Sequence, residues 1–193
     1  MYRRQVLAGA GTIVLTTVSG CLDVFGDDGN GVEGDDDDPI DAEPESLLLS
    51  PDSAADVTEA AWIEMELDER LLMYLEAEPA RTLREWDEEV EEPVFAGREI
   101  LTGVWFHDSV ESARETYDDS PFQFGHGFEE EEIAVESITG TVEEGFTTEW
   151  GHVLFRDANV VGGVSYQDAN IDERELLQTT VDLGAAMHES WRT

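Results

Sequence analysis

Lysine is absent from this 193-residue chain, and all of its positive charge rests on ten arginines set against 47 Asp and Glu, for a formal charge of −37. A nucleic-acid binder must neutralise phosphates with clustered cations and release counterions, so this balance excludes nucleic acid as a direct partner. Cysteine occurs once, as Cys21, which excludes an intramolecular disulfide. The apolar stretch from Leu7 to Gly20 falls short of the roughly 20 residues that a membrane-crossing helix needs. Catalytic and cofactor motifs are missing as well. The histidines His107, His126, His152 and His188 never recur at metal-ligand spacing, and no HExxH is present. Gly163-Val164-Ser165-Tyr166-Gln167 lacks the second glycine of a nucleophile elbow, and no glycine-rich phosphate loop occurs. No metal, no cofactor and no catalytic residue is expected.

The acid that is present is unevenly spread. Residues 1–22 carry two Arg and no acid, residues 23–45 carry 11 acids and no base, and residues 46–193 carry 36 acids and eight Arg. High charge with low hydropathy can mean disorder. Against that, all five Trp lie beyond residue 45, with most of the Phe and Tyr, which predicts one packed core of ordinary domain size. Such a domain repels itself in dilute buffer. At about 1 M salt the screening length falls to roughly 3 Å and most of that repulsion disappears. Zero Lys, abundant Asp and Glu and a low pI together resemble the proteins of salt-in halophilic archaea, which implies a domain adapted to high salt.

The N-terminus reads as an address. Arg3 and Arg4 precede a short apolar stretch that ends in small residues, the parts of a secretory signal. The arginine pair with Leu7 three positions beyond Arg4 resembles a twin-arginine export signal, with Val6 and Tyr2 as departures from its usual residues. Val18-Ser19-Gly20-Cys21 resembles a lipobox, which implies that Cys21 receives lipid and becomes the mature N-terminus. The expected organisation is a signal peptide over 1–20, a lipid-anchored acidic tether over 21–45, and a single domain over 46–193. The expected location is the extracytoplasmic face of the cell membrane, held through the lipid anchor.

Leu22–Glu45, rich in Gly and Asp with two prolines, is too poor in apolar residues to form a core and is expected to be a solvated spacer. Tested as a calcium loop from Asp28, it fits at Asn30 but fails at Val32 and Gly34, leaving diffuse cation attraction.

Within the domain, Ser46–Pro51 reads as an entering strand stopped by proline, and Trp62–Leu67 alternates with Ile63, Met65 and Leu67 on one side. Glu69–Ala77 has helical spacing. Thr82–Val90 fits either helix or strand. Glu99–His107 is β-rich, and Asp108-Ser109-Val110-Glu111 caps a helix over Val110–Tyr117 that buries Val110, Ala113 and Tyr117. Strands are expected over Glu132–Ile138, Gly140–Thr147, Trp150–Arg156 and Val160–Tyr166. A hairpin is expected at Asp157-Ala158-Asn159, with Asn159 taking left-handed geometry, and Gly162-Gly163 marks a bulge or close packing. A long C-terminal helix capped near Asp172 turns Leu176, Leu177, Thr180, Gly184, Met187 and Trp191 inward.

The fold class is α+β: an antiparallel sheet with packed helices and a long C-terminal helix. The order of elements, with the hairpin RDANVVGGVSY, resembles the PsbP-like α-β-α sandwich, which implies a scaffold used for binding and assembly. The most unusual stretch is Pro121–Phe128, where Phe122, Phe124 and Phe128 surround a Gly-His-Gly unit at His126. If exposed, these rings form a partner-binding patch; otherwise they cover the sheet. Two functional readings follow. One is a membrane-anchored lipoprotein with a non-catalytic binding or accessory domain and an unidentified protein or small-molecule partner. The other is an exported hydrolase with its site near His107, His126 or His152.

Overall fold

A computed structural model describes residues 34–65, 77–87, 89–94, 97–120, 129–144 and 148–193, with side chains omitted for 142–149. Its centre is an antiparallel sheet of strands β1 (Trp62–Met65), β2 (Ala80–Asp87), β3 (Glu92–Pro93), β4 (Glu99–Phe106), β5 (Glu129–Glu130), β6 (Glu136–Glu144), β7 (Thr148–Asp157) and β8 (Val160–Gln167). The spatial order is β1-β2-β4-β8-β7-β6-β5, with β3 attached to β2. The long central strands β4, β8 and β7 are in continuous register, from Ile100 opposite Tyr166 to Trp105 opposite Val161, and from Gly151 opposite Tyr166 to Asp157 opposite Val160.

Side chains alternate across a strand, and both faces of this sheet are covered. On one face Ile100, Val104, Val153, Phe155 and Val164 pack against helices α1 (Pro51–Thr58) and α3 (Glu173–Glu189). On the other, Leu101, Leu154 and Val161 meet Ala113 and Tyr117 of α2 (Val110–Asp118). The α+β class and the helix-covered antiparallel sheet expected from the sequence are present.

Each helix begins on a side-chain cap. Ser109 Oγ accepts from the Ser112 amide at 3.2 Å and Asp172 Oδ1 from the Glu175 amide at 3.0 Å, satisfying donors that a helix start leaves open. In α3 the acidic Glu173 and Glu175 stand at the positive end of the helix dipole. Its inward face carries Leu176, Thr180, Leu183, Gly184 and Met187; each large apolar member contributes roughly 1.5–3 kcal/mol by burial. Leu177 is only half-buried, and Trp191 packs inward from just beyond the helix end.

Several elements differ from the sequence reading. Leu47–Leu49 is buried, but not as a strand: a 3-10 turn over Pro44–Leu47 leads into α1, where Pro51 is the first helical residue and Ser50 is the cap. Proline at a helix start loses nothing, because its missing N–H would be unbonded there anyway. In β1 the most buried residue is Trp62, whose indole donates to Thr58 Oγ1 at 2.7 Å; Ile63 and Met65 are half-buried. Thr82–Val90 resolves as strand through Asp87. Val110 is half-buried. The two strands expected around Gly140 are one strand, β6, with Gly140 paired to His152. At the β7–β8 turn Ala158 takes the left-handed backbone (φ 47°) in place of Asn159. Gly162 marks close packing, since a Cβ there would lie 2.6 Å from Phe155 Cζ and 2.7 Å from the Trp191 ring.

The largest departure lies at the entry of the chain. Residues 34–45, expected as part of a solvated tether, are seated on the domain: Ile40 is buried in the main core cluster, Asp35 and Asp36 contact the β7–β8 end of the sheet, and Asp38 meets Arg192 beyond α3. Composition argued for solvation, but specific arginines make these aspartates partners.

Candidate functional site

Two constructions on the described surface combine polar groups with shape. The first is a concavity of about 410 Å³ where the C-terminal end of α2 faces β5 and β6. Its walls are Tyr117, Asp118, Glu130, Glu131, Glu136 and Ile138, with Val135 and Ser137 between. The short β5 holds its backbone to β6 at Glu129–Thr139 and Glu130–Ile138. Ser137 ties down the stretch between them, with its hydroxyl donating to the Glu131 carbonyl at 2.6 Å and accepting from the Ile133 amide at 3.0 Å. Burial, with the charges of Glu129 and Glu132 alongside, raises the Glu131 pKa above the ordinary carboxylate value. The hollow thus joins carboxylates to an aromatic and aliphatic wall.

The second is an ionic clasp at the β7–β8 turn. Arg156 is fully buried; its Nε donates to Glu136 at 2.7 Å, and its Nη1 to Asp36 at 2.5 Å and to the Ala158 carbonyl at 3.1 Å. Burial works against its charge, but the bonds to Asp36 and Glu136 outweigh it and raise its pKa. Asp36 also receives Arg114 of α2 at 3.0 Å, and the Arg156 bond holds its carboxyl below the usual range. The adjacent Asp157, fully buried, takes Arg192 on both oxygens and His188 Nε2 at 2.7 Å. Burial pushes its pKa up, but the bonds from His188, Arg192 and the Asp35 amide prevail and lower it to about 2. Arg192 reaches on to Asp38, closing the clasp over the chain entry. Glu136 belongs to both constructions.

The remaining histidines do not converge. His152 Nδ1 lies 2.7 Å from Ser165 Oγ, but both are buried within the sheet, and burial lowers the His152 pKa to about 4. The pair is a neutral, solvent-closed contact. His107, whose amide bonds Asn159, lies roughly 20 Å from it along the strands at about 3.3 Å per residue. Burial lowers the His107 pKa as well. Among the described residues no group of three His, Cys, Asp or Glu side chains could hold a metal ion. Cys21, Arg3, Arg4 and Leu7 lie outside the described residues, as do Phe122, Phe124, His126 and Phe128. Sequence reasoning missed the clasp, because its halves are 120 residues apart and its acids are hidden among 47.

The fold has a solved counterpart. The extracellular domain of PknH from Mycobacterium tuberculosis is similar, with a TM-score of 0.52 and 14% identity over 80% of this chain and 98% of that one. At that identity the likeness shows the arrangement of strands and helices alone. No protein-family model matches the chain, and no curated protein matches it. No described helix is long and apolar enough to cross a membrane.

Proposed function

We propose that this chain is a membrane-anchored, extracytoplasmic lipoprotein of a high-salt organism, whose α+β domain binds a partner without catalysis through the acidic hollow between α2 and β6. The observation that carries the binding reading is the hollow itself, where four carboxylates border Tyr117 and Ile138. That lining suits an organic cation borne on an apolar body. At about 1 M salt, screening within roughly 3 Å weakens bare charge attraction, so contact with the apolar wall must supply much of the affinity. The Arg3-Arg4 pair, the Val18–Cys21 sequence and the likeness to an extracellular domain support the location. Lipid at Cys21 would leave thirteen residues to reach Gly34, a span of at most about 45 Å, which keeps the domain close to its membrane.

Two measurements test this. Cys21→Ser should move the protein from the membrane fraction to the medium; retention on the membrane would remove the lipid anchor from the reading. Thermal unfolding in molar KCl, titrated with tetramethylammonium, a diamine and an arginine-rich peptide, should show stabilisation by at least one. Glu131→Gln with Glu130→Gln should abolish it. No shift with any of the three would remove the hollow as a cation site.

A further inference from the structure

The chain entry is held in the manner of a bound peptide. Residues 35–41 belong to no strand or helix, yet their backbone is met at successive points. Asp157 Oδ1 accepts the Asp35 amide at 2.9 Å, Arg192 donates to the Asp35 carbonyl at 3.1 Å and the Asp38 carbonyl at 2.9 Å, and the Asn159 side chain bonds both the amide and the carbonyl of Ile40. Side chains are met at alternate positions. Asp36 sits on Arg156 and Arg114, Asp38 on Arg192, and Ile40 enters the core, while Asp37, Pro39 and Asp41 face solvent. Three of the ten arginines of a lysine-free chain are committed to this segment.

We infer that the β7–β8 end of the domain is a receptor site for an acidic peptide that makes a turn, of the pattern acid, any residue, acid, any residue, aliphatic, filled in this structure by the chain's own residues 36–40, where the Asp38 amide bonds the Asp35 carbonyl at 3.2 Å. The donors have anchors outside the segment: Arg156 is fixed by Glu136 and the Ala158 carbonyl, and Arg192 by Asp157, so they stay aimed when the segment leaves. A preorganised guanidinium costs little ordering on binding, and a planar fork matches a carboxylate. Burial of Arg156 also protects this recognition from the salt that screens surface pairs. A separable segment makes the site open to the same sequence on a second chain.

The test uses the full chain with a protease recognition sequence inserted after Ala42, between the segment and the Pro44–Leu47 turn. The protein is folded in molar KCl, cleaved, and challenged with a fluorescent peptide spanning Gly34 to Asp41. The expected result is exchange of the labelled peptide onto a domain whose circular dichroism is unchanged. Asp36→Asn in the peptide should weaken binding about tenfold, as should Arg156→Gln in the domain, since charge-assisted bonds of this kind are worth more than neutral ones. Asp37→Asn in the peptide, at a solvent-facing position, should change nothing. Unfolding on cleavage would overturn the inference by making the segment part of the fold. Absence of exchange, or equal loss from Asp36→Asn and Asp37→Asn, would overturn it too. The peptide variants keep the test decisive even if Arg156→Gln fails to fold.

Discussion

Asn159 grips Ile40 by both backbone groups: Oδ1 accepts the Ile40 amide at 2.8 Å and Nδ2 donates to the Ile40 carbonyl at 3.2 Å, across 119 residues of sequence. The same Nδ2 donates to the His107 carbonyl at 3.0 Å, so one amide side chain joins the chain entry, the end of β4 and the β7–β8 turn. Each buried polar group left without a partner costs about 1–3 kcal/mol, so Asn159→Ala should lower stability by at least about 2 kcal/mol. Asn159→Asp should be no better, because a carboxylate cannot donate to the Ile40 and His107 carbonyls and would set a charge against them. Thermal unfolding in molar KCl measures both, and a loss within error for either would refute this account.

Arg156→Met removes a fully buried cation and leaves Asp36 and Glu136 without it. Breaking a pair costs about 3–5 kcal/mol when a buried charge is left behind, but the two carboxylates left here are each about a third exposed, so the loss should be nearer about 2 kcal/mol. Arg114→Met removes an arginine whose side chain is half exposed and should cost less than about 1 kcal/mol. The contrast between the two, read by denaturant unfolding in molar salt, separates burial from charge number; equal losses would contradict it.

Acid should destabilise the domain in two windows. His152 is held neutral in the fold with a pKa of about 4 against an ordinary value near 6.5, so its contribution is complete above that value and is lost as pH falls, by about 3 kcal/mol at pH 4. Asp157, at about 2, contributes stability that is complete above its unfolded pKa near 4 and is lost as pH falls to 2, about 2 kcal/mol in all. His152→Gln should reduce the slope of the upper window, leaving the part that comes from His107, whose pKa burial also lowers, and leave the lower window unchanged. Unfolding free energies from pH 7 to 2 give the slope directly, and an unchanged upper slope in the variant would rule His152 out as its source.

The parts of this fold that were legible were those written locally. Asp172 followed by the Leu176, Thr180, Gly184 and Met187 spacing gave α3 and most of its buried face, and Ser109 gave α2. Ser50-Pro51-Asp52 carried an equally plain helix start, but three consecutive leucines before it suggested a strand. Gly140 suggested a break where the ladder to β7 in fact continues, because cross-strand pairing on both sides of a glycine can hold it extended. Ala158 took the left-handed turn position, which its neighbour Asn159 favours more by residue type, while the Asn159 side chain bonds Ile40. The clasp was illegible for a different reason. Asp35–Asp38 has the composition of a spacer, and only the tertiary placement of Arg114, Arg156 and Arg192 makes it a ligand. The hollow likewise depends on which of many carboxylates α2 and β6 bring together.

Gly162→Ala should be costly although it adds one methyl group. The new carbon would overlap Phe155 Cζ at 2.6 Å and the Trp191 ring at 2.7 Å, in a cluster where Phe155, His188 and Trp191 already pack ring to ring. Overpacking of this kind costs about 1–3 kcal/mol. Displaced Trp191 would also weaken its 2.7 Å bond to the Leu47 carbonyl, so a change in tryptophan fluorescence should accompany the loss. Unaltered fluorescence and stability would contradict the packing described.

Both described edge strands of the sheet carry exposed glutamates, and that bears on how the molecule would behave in concentrated salt. Solutes excluded from protein surfaces favour any contact that hides area, and an uncovered strand edge offers the easiest one. Among the described residues, one edge strand carries the exposed Glu129 and Glu130, and the other the exposed Glu64. Another strand could pair there only by bringing its backbone against those charges, which opposes stacking. Resistance to salting-out would then come from where the acid sits as much as from its amount, and replacing Glu64, Glu129 and Glu130 with β-branched residues should make the protein precipitate at lower salt without disturbing its core.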